Sequence, residues 1–288
     1  MKTIRVFPRK TNATPDDDLV RIGVKPDLFD SADEVHISVT FTWDIPAAEK
    51  LAQEWKYVAP VKMGGPAFNE QGGDFAPGQY LKNGYVITSR GCPNRCWFCA
   101  VPKREGNIVR ELPITEGYNL LDDNILACSD SHIDSVFAML KTSSKEAHQP
   151  VILTGGLEAK RVTPSIVEKL SVLKPKYMFF AFDTPDDYEP LVVAGKLLKE
   201  AGFTDNHMRC YVLCGYPKDT PEKAIKRFVQ TAEAGFMPMS MVYRDFERKT
   251  SVPAEWRKIP HTWARPAATK AELKKINLNR TKKEDKGK

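Results

Sequence analysis

The stretch Gly84-Tyr-Val-Ile-Thr-Ser-Arg-Gly-Cys-Pro-Asn-Arg-Cys-Trp-Phe-Cys99 opens with β-forming residues and runs directly into three cysteines, Cys92, Cys96 and Cys99. Its first part, Gly84 to Ser89, has the composition of a strand, and the glycine, proline and asparagine that follow mark a loop. Strand-like and helix-like stretches then alternate to the end of the body. Further strands are predicted near Gly117–Leu121, Val151–Thr154, Tyr177–Phe182, Arg209–Cys214 and Pro238–Tyr243. Between them helices are predicted over Ser131–Thr142, Pro164–Leu173, Asp187–Ala201 and Pro221–Ala234, the last capped by Thr220 with acidic Glu222 in its first turn. Six strands with intervening helices imply an α/β fold with a parallel sheet, either a partial TIM-like (β/α)6 barrel or an open doubly wound sheet. Both architectures put chemistry at the carboxyl ends of the strands, which is where the cysteine loop lies.

Upstream, the run Val35 to Phe41 alternates as a strand does, and Ala47, Leu51, Ala52 and Trp55 recur at helical spacing behind Asp44 as cap and Pro46 in the first turn. A short strand over Ala59–Met63 completes a βαβ unit. Residues 68–79, rich in Gly, Pro and acids, read as a linker. The expected organisation is a small Rossmann-like half domain over 1–79, a core over 80–250 and an extension over 251–288.

The 288 residues carry a formal charge of +6 and are 42% hydrophobic, enough for a packed core. Between Ala267 and Lys288 eight basic residues (Lys270, Lys274, Lys275, Arg280, Lys282, Lys283, Lys286, Lys288) face three acids, so five of the six net charges sit there. That tail reads as a solvated, disordered extension, with a nucleic-acid contact as the alternative. No apolar run approaches the about eighteen residues of a membrane span, and Met1 to Asp18 has no apolar block like that of a signal peptide. A soluble, cytoplasmic protein with no membrane partner is expected, and in that compartment six cysteines point to metal or redox chemistry before disulfides.

Three thiolates spaced three and two residues apart can wrap one iron–sulfur cube, yet such a cube ordinarily takes four cysteines, so one iron stays open to a ligand. A zinc knuckle would need a fourth Cys or His nearby, and 100–127 holds none. Cys128, Cys210 and Cys214 read as small buried hydrophobes, with a second radical or proton donor as the other reading of Cys214. His36 reads as a structural histidine satisfied within its strand.

The spacing Cys92, Cys96, Cys99, with aromatic Phe98 before the last cysteine, resembles the signature loop of the radical S-adenosylmethionine superfamily. The likeness runs from about His36 to Tyr243 and is strongest to the branch that includes cobalamin-dependent and methylthio-transferring members. The resemblance implies a 4Fe-4S cluster on the three cysteines, with S-adenosylmethionine on the open iron, a 5′-deoxyadenosyl radical released by reduction, and hydrogen abstracted from a substrate. It also implies a flavodoxin- or ferredoxin-like electron donor. The cofactor shelf would be built from Phe98, from Gly155 and Gly156 with Glu158 in the Thr154–Glu158 run, from Asp183 in Phe182-Asp183-Thr184, and from Gly215 in the run Gly215 to Thr220. Read from the residues alone, Gly155 and Gly156 also suit a strand-to-helix turn, and Asp183 a turn. The block Leu121-Asp122-Asp123-Asn124 resembles a strand end of the same branch. The amino-terminal βαβ resembles half of a cobalamin-binding domain but lacks the cobalamin ligand motif, so a cobalamin-dependent methyltransferase is an alternative, as is a non-enzymatic Fe-S protein binding nucleic acid through the tail. Arg95, Lys103 and Arg104 flank the loop, either gripping an anion or as solvated charges.

Overall fold

The structure, a computed structural model, describes residues 1–244 and 252–286, with side chains to 277. Arg280 and the basic residues after it therefore lie outside the described side chains. The chain divides into two compact units, Met1–Pro150 and Val151–Lys288. Both are mixed α/β with parallel strands, and no sheet among the described residues closes on itself.

The first unit begins with β1 (Thr3–Phe7), β2 (Val20–Ile22), β3 (Glu34–Ser38), α1 (Ile45–Trp55) and β4 (Val61–Gly64). The four strands form one parallel sheet in the order β2-β1-β3-β4. Two strands more than the expected βαβ are thus present. Ile4, Val6, Val35, Ile37 and Val39 pack with Ala48, Leu51 and Trp55 of α1 into one apolar cluster. The expected strand to Phe41 ends at Ser38, because the chain turns into a short 3-10 helix at Thr42–Asp44. Asp44 does not cap α1. Its carboxylate is turned to Arg9, accepting from Nε at 2.6 Å and Nη2 at 2.5 Å, and makes no hydrogen bond to the helix start. The stretch read as a linker is tied to the sheet: Arg5 Nη1 donates to the carbonyls of Gly78 and Gln79, each at 2.7 Å.

The first unit continues with β5 (Tyr85–Val86), β6 (Ser89–Arg90), the single turn α2 (Val101–Arg104), β7 (Arg110–Glu111), β8 (Asn119–Leu120) and α3 (Asp130–Ala147). β5 pairs with β8 in parallel, and β6 with β7 antiparallel. Ser129 caps α3 by accepting from His132 N, and Ile133, Val136, Phe137 and Leu140 form its buried stripe.

The second unit holds β9 (Ile152–Leu153), α4 (Pro164–Leu173), β10 (Tyr177–Phe182), α5 (Tyr188–Glu200), β11 (Met208–Cys214), α6 (Pro221–Glu233), β12 (Met237–Val242), α7 (Ala254–Trp263) and α8 (Pro266–Lys286). β9, β10, β11 and β12 run parallel in that order. Thr163 and Thr220 cap α4 and α6 through their side chains, each followed by proline at the first helical position. Met178, Phe180 and Phe182 of β10 point into the core, where Phe180 meets Phe236 edge-on at 4.9 Å. α7 precedes the basic tail and buries Trp256 and Trp263, the latter stacked on Phe228 at 4.6 Å, while the tail from Ala267, expected to be disordered, is helical in α8 as far as Lys286.

Candidate functional site

In the first unit the cysteine loop spans the gap between β6 and β7. Their pairing, Ser89 with Glu111 and Arg90 with Arg110, pins the two ends of the loop together. Gly91 at φ +89 opens it, and a Cβ there would run into the carbonyl of Ile108 on the returning limb, so only glycine lets the two limbs approach. Cys92, Cys96 and Cys99 form no disulfide, with Cys96 exposed and the other two half-buried. Cys99 N donates to the Cys96 carbonyl at 3.0 Å, folding the last two cysteines into one tight turn. Among the described residues, no group of three or more His, Cys, Asp and Glu side chains is gathered at metal-ligating distance. The donor set nevertheless suits a thiophilic iron cluster: three unbridged thiols, two on one turn, and an amide beside the third.

Three consecutive residues after β8 grip the start of this loop. Asp122, 1% exposed, accepts from Thr88 N at 2.6 Å, Thr88 Oγ1 at 2.7 Å and Ser89 Oγ at 2.7 Å. Asp123 accepts from Gly91 N at 2.9 Å. Asn124 Nδ2 donates to the sulfur of Cys92 at 3.5 Å. Burial pushes the carboxyl groups of Asp122 and Asp123 above the ordinary range, since their charge is removed from water. The order of the grips follows the order of the chain, so a displacement of β8 shifts every contact to the loop at once.

Glu105 closes the far side. Its side chain is 1% exposed and meets Arg104 Nε at 3.0 Å, Arg110 Nη2 at 2.8 Å and Arg90 Nη1 at 3.6 Å. Arg104 also reaches Asp123 at 3.4 Å, so of the three flanking cations considered for an anion, Arg104 is spent within the loop. Arg95 and Lys103 are exposed. Neither Glu105 nor buried His132, whose Nε2 lies 3.4 Å from Thr88 Oγ1, stands out in the sequence, because both sit in polar surroundings. Cys128 is only half-buried, unlike the expected buried hydrophobe, and desolvation pushes its thiol up to about 11. Phe98 is half-buried beside exposed Trp97, whose ring it meets edge-on at 5.3 Å. His36 is satisfied within the sheet by Tyr80 at 2.6 Å and Glu34 at 3.0 Å.

In the second unit the remaining shelf residues follow the carboxyl ends of β9, β10 and β11. Gly155 and Gly156 come directly after β9, and open space surrounds the position of a Cβ on Gly156. Leu157, which interrupts the glycine-glycine-acid pattern, is 2% exposed and donates its N–H to the Phe179 carbonyl at 2.7 Å, so it plugs the core. Glu158 is held by Lys160 at 2.7 Å and Arg161 at 2.6 Å. Asp183 is not the turn former: Asp187 takes that part, accepting from Asp183 N, Thr184 N and Thr184 Oγ1. The Asp183 carboxylate instead crosses to β11, where it accepts from Leu213 N at 3.2 Å, and burial followed by the Asp187 charge pushes it up to about 7. Gly215, at φ +77, donates to Asp219 at 2.9 Å, and Asp219 pairs with Arg227 at 2.7 Å. A Cβ on Gly215 would lie 2.9 Å from the Trp256 ring, so α7 covers that glycine. Cys210 and Cys214 are fully buried, as expected of small hydrophobes, and desolvation pushes Cys214 up to about 12, so it stays a thiol near neutral pH.

The cysteine loop with its Asp122–Asn124 brace and the Asp183–Gly215 strand ends are thus two built arrangements, one in each unit. No protein-family model matches this chain, and no curated protein matches it.

Proposed function

We propose that this chain is a radical S-adenosylmethionine enzyme of cytoplasmic type, acting on a substrate that its residues do not name. The observation that carries the reading is the loop itself: three cysteines outside any disulfide in the Cys92, Cys96, Cys99 spacing, at the end of a strand, on a backbone braced residue by residue by Asp122, Asp123 and Asn124. Cys92, Cys96 and Cys99 would hold three irons of a four-iron cluster. When bound, that cluster and S-adenosylmethionine supply the electron transfer and sulfonium cleavage that yield a 5′-deoxyadenosyl radical for hydrogen abstraction from substrate.

The chain's own residues do the rest. The Asn124 amide, donating to the Cys92 sulfur, orients that sulfur and would lower the charge that it presents as a ligand. Gly155 and Gly156 present backbone groups with no side chain in the way, which suits an approaching amino acid moiety. Asp183, with its carboxyl raised to about 7, holds a proton through part of the neutral range and can share it with a hydroxyl or amino group. Phe98, Glu158 and Gly215 complete the proposed shelf, Glu158 as the acid for an amino group. The same reading takes β5, β8, β9, β10, β11 and β12 as the successive strands of an incomplete β/α barrel. A flavodoxin- or ferredoxin-like donor would supply the electron.

The test is 5′-deoxyadenosine release by anaerobically reconstituted, dithionite-reduced protein given S-adenosylmethionine, beside a Cys92, Cys96, Cys99 triple-alanine control. Nucleoside formed only with the intact cysteines supports the reading. A verified four-iron cluster that releases none under several reductants overturns it.

A further inference from the structure

The turn from α4 into β10 reads Lys174-Pro175-Lys176-Tyr177, and the turn into β11 ends in Asn206 and His207, with Arg209 two residues on. These seven residues line one cavity of about 300 Å³. It lies at the amino-terminal ends of the strands. β10 runs six residues from Tyr177 to Phe182, and at about 3.3 Å per residue the cavity is roughly 20 Å from Asp183, so it is no part of the proposed radical site.

Its chemistry is one-signed. Lys174, Lys176 and Arg209 line it, and no carboxylate does. The Arg209 guanidinium sits 4.2 Å from the centre of the Tyr177 ring, and Lys176 Nζ lies 5.3 Å from the same ring. Arg209 Nε–H is buried and donates to no acceptor among the described residues, while Nη1 reaches only the sulfur of Met239 at 4.0 Å. The Tyr177 ring offsets part of the guanidinium's charge, but no carboxylate does, so an anion entering the cavity would meet an uncompensated cation. Asp205, next in sequence to the lining residue Asn206, is already paired with Lys270 of α8 at 3.0 Å. Thr204 N donates to His207 Nδ1 at 3.2 Å, which puts the neutral ring's proton on Nε2 and makes His207 a donor as well. Asn206 Oδ1 accepts from Lys270 Nζ at 3.3 Å, leaving its amide N–H groups to spend. Lys174 holds the left-handed end of α4 at φ 53, a position where glycine is the unstrained choice, and lysine there adds a cation.

We propose that this cavity is a phosphate-binding site, filled by the phosphate of a nucleotide or of a nucleic-acid strand. A planar guanidinium fork, two ammonium groups and two neutral donors suit an anion with several acceptor oxygens better than a single carboxylate. Exposed Lys274 adds a positive charge along α8 beyond Lys270, while Lys275 is paired with Glu272 at 3.2 Å, so the charge available for further phosphates of a strand is that of Lys274.

The test needs no bound cofactor, so it stands apart from the radical reading. The full chain is titrated calorimetrically with inorganic phosphate and pyrophosphate, and by fluorescence anisotropy with a labelled single-stranded oligonucleotide at stepped salt. Arg209→Gln and Lys176→Gln are each expected to weaken binding about tenfold, the loss of one charge-assisted contact. Lys176 lies in a surface turn, so that variant keeps its fold even if Arg209→Gln does not. Oligonucleotide binding whose salt slope drops by about one in each variant assigns the site to a strand backbone. Binding of phosphate or pyrophosphate alone, weakened by the same variants, assigns it to a free ligand. No heat with about 10 mM phosphate and no anisotropy change at low salt, or binding that neither variant weakens, overturns the proposal.

Discussion

Replacing Asp122 by alanine removes the brace of the cysteine loop, and the structure sets the size of the effect. The side chain takes three hydrogen bonds in a place where Thr88 and Ser89 have no exposure. After the substitution the two hydroxyls can rotate toward other acceptors, but the N–H of Thr88 is fixed by the backbone and stays buried without one. One unsatisfied buried donor costs about 1–3 kcal/mol, and two hydrogen bonds lost elsewhere add about 0.5–1.5 kcal/mol each, so Asp122→Ala is expected to destabilise the first unit by about 3–4 kcal/mol. Asparagine keeps an oxygen for Thr88 N and presents an amide to two hydroxyls that can accept by rotating. Asparagine is neutral and avoids the desolvation of a buried charge that raises the Asp122 carboxyl, so the expected loss is about 1 kcal/mol. The assay is urea unfolding followed by tryptophan fluorescence, in which Trp43, Trp55 and Trp97 report on the first unit, beside the rate at which a disulfide reagent modifies Cys92. The alanine variant is expected to react faster at Cys92 because Gly91 and Cys92 follow directly on the freed strand. An alanine variant within about 0.5 kcal/mol of the parent, or an asparagine variant as damaged as alanine, refutes the account of Asp122 as a hydrogen-bond anchor.

Asp183 gives a pH dependence of known sign. Its carboxyl is raised from the ordinary 3.8 to about 7, so the folded state binds the proton more tightly than the unfolded one. Stability therefore falls as pH rises from about 4 to about 7 and is level above that, by up to about 4 kcal/mol if the whole shift acts on folding. Asp183→Asn is expected to abolish that slope relative to the parent, and parallel stability-versus-pH curves for the two would contradict it. Glu105→Ala leaves Arg90, Arg104 and Arg110 crowded around a lost counter-charge and is expected to cost about 3–5 kcal/mol, with Glu105→Gln in between. Thermal unfolding of both variants checks this, and equal melting temperatures for parent and Glu105→Ala would show that the arginines find solvent instead.

Elements with strong local punctuation were legible in sequence. Helix α4 has its predicted bounds because Thr163 caps it, Pro164 starts it and Lys174 ends it in the left-handed region; α6 differs by one residue for similar reasons. β10 is also as predicted, its alternation of buried and less buried residues being the pleat of a strand inside a sheet. The strands before α3 were found but are shorter than their composition implied. Thr88 and Ser89, counted as the end of one strand, leave the parallel ladder to bond Asp122 and to pair with β7. Strands β1 and β2 were missed since five and three residues broken by Arg5 and Arg21 carry little periodic signal; β1 becomes a strand by pairing with β3, and β2 by pairing with β1. Helices α7 and α8 were hidden by charge, α7 further by Pro260 within it.

The same division runs through the candidate site. The cysteines, glycines and Asp183 are recognisable because their chemistry resides in residue type and local spacing. What holds them is set by partners far along the chain: Asp122 and Asp123 lie 32 to 34 residues from the groups they bind, and Asn124 is 32 from Cys92. The run Leu121 to Asn124 was noted in sequence only as resembling a strand end, and its hold on the cysteine loop shows in the burial of Asp122 and Asn124 and the hydrogen bonds of Asp122, Asp123 and Asn124. Glu105 makes the point from the other side. Surrounded in sequence by Arg104, Gly106 and Asn107, it has every local mark of a surface acid, yet its carboxylate is enclosed by arginines from both limbs of the loop. A loop that must hold three thiols in register cannot take its rigidity from apolar packing, because it projects from the sheet. Buried carboxylates with several donors each provide that rigidity, and their effect is directional where apolar contact is not.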